Sequence, residues 1–314
     1  MEKAATNILK IAKTLLAILI PAIISCSNSP DKGNPSGGKG NTRFMGYNLS
    51  VPDETVIMPP VLHEISGITL IDSTTIACIQ DENGIIFIYD LQRKEITKQV
   101  PFHGNGDYEG IARVNNTIYV LKSNGELYEI TNLGSPEPAG KITLKKLSDD
   151  DNEGLCYDEK NNRLLISHKN KPDKDSENKD LRGIYGYNLN TKEFIKKPVI
   201  DIELSKLNKF AAENKVLTKT DGKKKDGNSK PDIKFKPSDI AIHPLTGRLF
   251  VLSSDDHLLY VFSIDGGIEK MARLDRDIFN MPEGITFLRN GDMLISNEGQ
   301  NRVPTLLRFN YKEE

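Results

Sequence analysis

One three-residue pattern returns along the chain at a nearly fixed interval, and that interval constrains the fold more than any other feature. Glu109-Gly110-Ile111, Glu153-Gly154-Leu155 and Glu283-Gly284-Ile285 align with Ser66-Gly67-Ile68 and Ser238-Asp239-Ile240. Gly67, Gly110 and Gly154 stand 43 and 44 residues apart, and Asp239 and Gly284 stand 45 apart. The remaining step, Gly154 to Asp239, is 85 residues. A repeat of about 20–50 residues marks a stacked array, because one unit alone cannot bury its apolar face.

Each unit reads as four short strands. In the second, EGIARV, IYVLKS, LYEI and KITLKKL are separated by NNT, by NGE and by a longer polar stretch. Asn-Gly is the strongest short hairpin signal, since both residues tolerate the left-handed backbone that such turns need. The first unit (SGITLI, IACIQ, IIFIYDL, EITKQV) and the fourth (SDIAIH, RLFVLS, LLYVFSI, IEKMARL) repeat the scheme. Four antiparallel strands in about 45 residues is the arithmetic of a β-propeller blade. The chain has no Trp, which excludes the WD signature but not the architecture.

The third unit carries polar insertions at 169–181 and 205–236, the second read as a short helix and a charged loop. That makes the 85-residue step one blade with insertions. A six-bladed alternative would need a hidden blade in 205–236. The last unit has three strands, and a strand-like stretch, 44–59, precedes the first. The expectation is an all-β, five-bladed β-propeller over 45–314. Its ring is closed by an N-terminal strand that joins the C-terminal blade and removes the open edges.

The N-terminus reads as a targeting segment. Lys3, Lys10 and Lys13 precede Thr14–Ser25, 12 residues without a charge that end at Cys26. A bilayer span needs roughly 20 residues, so this length fits a signal-peptide core. Residues 1–25 are expected to be a lipoprotein signal peptide, with Cys26 lipidated, although Ile23 stands where Leu is usual. Residues 26–44, rich in Ser, Gly, Asn and Pro, then form a flexible tether. This predicts a membrane-anchored protein of the cell envelope, periplasmic or surface-exposed. Acids and bases are mixed along a chain of net charge -2, with no nucleic-acid footprint. Cys78 and Cys156 sit in apolar runs and are expected to be buried free thiols.

In a propeller the first strand of each blade lines the channel, and the second returns to the same mouth. One face should therefore collect Ser66, Glu109, Glu153, Asp239 and Glu283 from strand starts. Asp81, His168, Asp255 and Asn297 join them from strand ends. The glycines fit a place where backbones crowd. Converging carboxylates repel one another unless a cation intervenes. Oxygen-only donors suit a hard ion, Ca²⁺ before Mg²⁺. The expected metal ligands are Glu109, Glu153, Asp239 and Glu283, and the expected ligand-binding residues are Ser66, Asp81, His168, Asp255 and Asn297. The plainer alternative is that the glutamates pair with Lys or Arg, or face a wet channel. No catalytic residue is assigned. Asp221–Ser229 only superficially resembles a calcium loop, because Lys223 and Lys225 stand where oxygen ligands belong.

LHEISGIT (62–69), YEGIA (108–112), NEGLCYD (152–158), KPSDIAIHPLTGRLFVLS (236–253) and PEGITF (282–287) carry a resemblance to a known family. The chain resembles the SdiA-regulated, or YjiK-like, β-propeller lipoproteins and secreted proteins over nearly all of 45–310. The resemblance implies a five-bladed propeller, distantly similar to NHL-repeat proteins, with a calcium site. It says little about a reaction. Three functions stay open: a lipid-anchored, calcium-binding propeller that takes a small-molecule or protein ligand at the channel mouth; a calcium-dependent hydrolase, lactonase-like or phytase-like; and a purely structural ion. The binding protein is preferred over the enzyme.

Overall fold

Alternation of side chains with period two decides the architecture, although the sequence half hides it. Runs such as LFVL (249–252) are apolar throughout, because in this protein both faces of a strand are buried. Leu249 and Val251 point into one cluster of core side chains, while Phe250 and Leu252 point into the next. The computed structural model describes residues 43–131, 133, 140–143, 151–169, 180–217 and 233–313. Cys26, the leader, nearly all of the tether, most of the 169–181 insertion and residues 218–232 of the second insertion lie outside them.

The described residues form five four-stranded antiparallel sheets. Blade A is β2 (Ile65–Leu70), β3 (Thr75–Gln80), β4 (Ile85–Asp90) and β5 (Glu95–Pro101). Blade B is β6 (Tyr108–Val114), β7 (Thr117–Lys122), β8 (Glu126–Ile130) and β9 (Gly140–Thr143). Blade C is β10 (Asn152–Asp158), β11 (Arg163–His168), β12 (Leu181–Asn188) and β13 (Glu193–Glu203). Blade D is β14 (Asp239–Ile242), β15 (Leu249–Ser253), β16 (Leu258–Phe262) and β17 (Ile268–Arg273). Blade E is β18 (Pro282–Phe287), β19 (Met293–Asn297) and β20 (Thr305–Phe309), completed by β1 (Glu54–Ile57). The protein is a five-bladed β-propeller. β1 pairs antiparallel with β20, Glu54 opposite Arg308 and Ile57 opposite Thr305, so the first strand completes the last blade. Of the expected 44–59 stretch only Glu54–Ile57 is strand. The part before it makes turns that bury Tyr47, whose hydroxyl donates to Gly291 O at 2.5 Å.

The long step holds blade C and one helix, α1 (Leu204–Glu213), as its composition suggests. The helix lays Leu207 and Ala211 on the C–D interface. Five apolar clusters fill the five blade interfaces. Each fully buried aliphatic or aromatic side chain there contributes about 1.5–3 kcal/mol. Cys78 and Cys156 are free thiols within these layers. Burial pushes both thiols well above their ordinary pKa.

The turns follow their residues. Gly125, in the Asn-Gly turn of blade B, has φ +79°, and Asn115, in the turn before it, has φ 55°. Both backbones are left-handed, which Gly adopts freely and Asn tolerates.

Candidate functional site at the channel mouth

The Glu-Gly repeat is a repeated β-bulge. Register slips between Ile65 and Gly67, between Tyr108 and Gly110, between Asn152 and Leu155, and between Pro282 and Gly284. The extra residue is Ser66, Glu109, the Glu153-Gly154 pair or Glu283. A bulge bends its strand and re-aims a side chain, and here it acts on the first residue after the channel mouth. The glycine beside it sits where the next blade's inner strand passes. A Cβ on Gly110 would lie 2.7 Å from Glu153 O, and one on Gly154 would lie 2.8 Å from Asp239 Cα. Strand starts and strand ends meet at one mouth as expected: Ile65 opposes Gln80, Tyr108 opposes Lys122, Asn152 opposes His168, and Pro282 opposes Asn297.

Three of the expected ligands act on one lysine without closing on one another. Glu109, Glu153 and Glu283 lie around Lys169, the residue after β11, whose Nζ is 3.3 Å from Glu153 Oε1. The Lys169 ammonium feels all three carboxylates, and its pKa is raised. Burial comes first among the causes that push Glu109 up, followed by the charges of Glu153 and Asp107. Burial likewise raises Glu153, against the opposing pull of Lys169. Glu283 is pushed up to about 8 by burial, with Lys169 opposing and Glu153 and Glu298 adding to the rise. A second acid group adjoins the first. Asp81 is pushed up to about 7 by burial and then by Glu64 and Glu298, and Glu298 is itself raised by burial and Glu64. Carboxylates held close in a poorly solvated place resist joint ionisation.

The other expected site residues serve the frame or the rim. Ser66 Oγ donates to Tyr108 O at 2.6 Å, and Ser238 Oγ donates to Pro282 O at 2.9 Å. Each serine thus staples its blade to the next inner strand, one residue before that strand's glutamate. Asp239 is 2% exposed, and its two carboxylate oxygens accept N–H bonds from Ile240 and Ile285, each 2.8 Å. Asn297 Nδ2 donates to Ile278 O at 3.2 Å and to Thr305 Oγ1 at 3.0 Å. Asp255 pairs with Lys236 at 3.0 Å on the rim. His168 is 2% exposed, edge-on to Tyr185, with its pKa lowered to about 4 by burial.

Sequence reasoning placed Lys169 near the mouth, with Lys122 and Arg182, and allowed that the glutamates pair with lysine, but it did not single out Lys169 as the residue that faces all three. It also missed Glu64 and Asp107, which precede strands and lack the glycine signal. The donor set is all oxygen, as a hard cation requires. Its spacing is looser: among the described residues no three His, Cys, Asp or Glu side chains stand close enough to hold a metal ion. Lys169 supplies the positive charge there. The chemistry of the donors therefore fits calcium, whereas the spacing is that of an acid cluster closed on a lysine.

A family model described as SdiA-regulated matches residues 41–276. No curated protein matches the chain. Among solved structures, the glutaminyl cyclase of Myxococcus xanthus superposes with a TM-score of 0.52 at 11% identity, over 83% of this chain and 95% of that one. A nidogen/laminin complex gives 0.46 at 12% identity, over 74% and 72%. Virginiamycin B lyase from Staphylococcus aureus gives 0.43 at 13%, over 78% and 67%. At these identities the likeness to the cyclase shows the fold alone.

Proposed function

The chain belongs to the SdiA-regulated family, and on that premise we propose that it is a lipid-anchored binding protein of the cell envelope. It is held to the membrane through Cys26. Its channel mouth binds Ca²⁺ and, at that face, a small-molecule or protein ligand. One observation carries the reading: repeated bulges bring Glu109, Glu153 and Glu283 around a single lysine. Fully ionised, three carboxylates against one ammonium carry two net negative charges, which one Ca²⁺ would balance on displacing the carboxyl protons. Glu109, Glu153 and Glu283 would hold the ion. The hydrolase alternative lacks such support, because His168, its candidate base, is 2% exposed and burial lowers its pKa to about 4, which makes it a weak proton acceptor.

The pH dependence of stability tests this. Glu283 and Asp81 keep their protons to about 8 and about 7 in the folded protein, and Glu109 and Glu153 are raised with them. The unfolded chain loses these protons near the ordinary carboxylate pKa. The folded state therefore binds more protons between about pH 4.5 and 8, so stability falls as pH rises through that window. With chelator present, Tm is expected to drop by about 5 °C or more from pH 5 to pH 8. Calcium should restore it at pH 8, by binding only the folded state, and should do little at pH 5. A flat profile, or no calcium effect at pH 8, contradicts the proposal.

A further inference from the structure

At the end of the propeller opposite the glutamates, β14 runs into the turn HPLTGR, residues 243–248. His243 is 1% exposed. Its Nδ1 accepts N–H bonds from Leu245 and Thr246, both 3.2 Å. A ring nitrogen that accepts amide protons carries none itself, so the neutral imidazole bears its proton on Nε2. Burial, aided by the charge of Arg248, holds the His243 pKa to about 4, so this neutral form persists at physiological pH. Nε2 is then a buried donor, and among the described residues it has no hydrogen-bond partner. Thr246 Oγ1 is in the same condition.

Both residues line one cavity of about 380 Å³, together with Arg248, Lys270, Phe250 and Tyr311. That volume is within the range of small-molecule sites. Arg248 gives its Nε–H to Glu269, and a guanidinium has four further N–H donors. Lys270 and Glu313 stand exposed on the rim. The His243 ring lies 4.8 Å from that of Tyr311 and 5.8 Å from that of Phe250, so the walls beside the orphan donor are aromatic. Buried polar groups normally find partners. Two orphans in the lining of one cavity, beside Arg248 and Lys270 and with Glu269 already engaged by Arg248 and Glu313 out on the rim, mark a place for an oxyanion attached to a flat apolar body.

We propose that this cavity is a second ligand site, separate from the acidic mouth, for a small carboxylate with an aromatic or apolar body. The carboxylate accepts from His243 Nε2 and Thr246 Oγ1 near Arg248 and Lys270, and the body packs on Phe250 and Tyr311. The test is NMR of the ¹⁵N-histidine-labelled full-length protein in detergent, titrated with 3-phenylpropionate and with the neutral 3-phenylpropanol. The expected result is a Nε2-protonated His243 whose Nε2 resonance shifts saturably with the acid, with Kd below about 10 mM. The alcohol should bind at least about tenfold more weakly, and Thr246→Val and Lys270→Gln should each weaken the acid severalfold without lowering Tm. An Nδ1-protonated ring, no saturable shift with the acid, or equal binding of acid and alcohol would overturn the proposal. In the no-shift case the Nε2–H is satisfied by an aromatic face.

Discussion

Replacing Asp239 with alanine is expected to lower the stability of the propeller by about 3–5 kcal/mol. Asp239 is almost fully buried, and its carboxylate collects the amides of Ile240 in its own blade and Ile285 in blade E. The amide of Leu155, in blade C, also favours its charged form. One side chain thus joins the inner strands of blades D and E, beside that of blade C. Alanine leaves those amides buried without an acceptor, at about 1–3 kcal/mol each. Asn keeps the shape but turns an NH₂ donor toward an amide donor, so Asp239→Asn should fall between wild type and alanine. Urea denaturation measures both. A loss under about 1 kcal/mol for alanine would show that the bridge is not under load. Calcium titration of Asp239→Asn under folded conditions separates frame from ligand. Lost calcium binding with unchanged stability would make Asp239 a metal ligand, the role its place in the repeat first suggests.

The second large effect concerns the glycines of the repeat. Gly110→Ala and Gly154→Ala are each expected to cost about 2–4 kcal/mol. The added methyl on Gly110 would sit 2.7 Å from Glu153 O, and the one on Gly154 would sit 2.8 Å from both Asp239 Cα and Ile240 N. These obstacles are backbone atoms, so no rotamer change relieves them, and the inner strands must move apart along the channel. Gly104 provides the control, since nothing lies within 4 Å of a Cβ there. Gly104→Ala should stay within about 0.5 kcal/mol of wild type. Equal midpoints for Gly104→Ala and Gly110→Ala would mean that the inner strands are not close-packed at the bulges.

The blade count was legible because turn chemistry and spacing are local. Asn-Gly at 124–125 and the 43–45-residue steps need no knowledge of the ring. Where the ring closes was legible in outline, since a three-stranded last blade needs a partner; the register of β1 on β20 was not. The site was legible in one respect only: Glu-Gly marks a bulge at a crowded mouth. Which mouth residues face the channel depends on partners a whole blade away. Ser66 bonds 42 residues on, Ser238 44 and Asp239 46. Nothing within a single module distinguishes a serine that staples blades from one that meets a ligand. Lys169 was legible as a cation near the mouth, but its place among three glutamates from three blades follows only from closure of the ring.

The most direct measurement is calorimetric titration of Ca²⁺ into the Asn41–Glu314 unit after chelation, at pH 7.5, beside Glu153→Gln and Glu109→Gln. A binding protein of the proposed kind gives one saturable calcium isotherm, weakened at least about tenfold in either variant and not reproduced by Mg²⁺ at equal concentration. No heat in the unsubstituted protein, or an isotherm unchanged by both substitutions, would contradict the account. It would leave the glutamates as an acid cluster held by Lys169 alone.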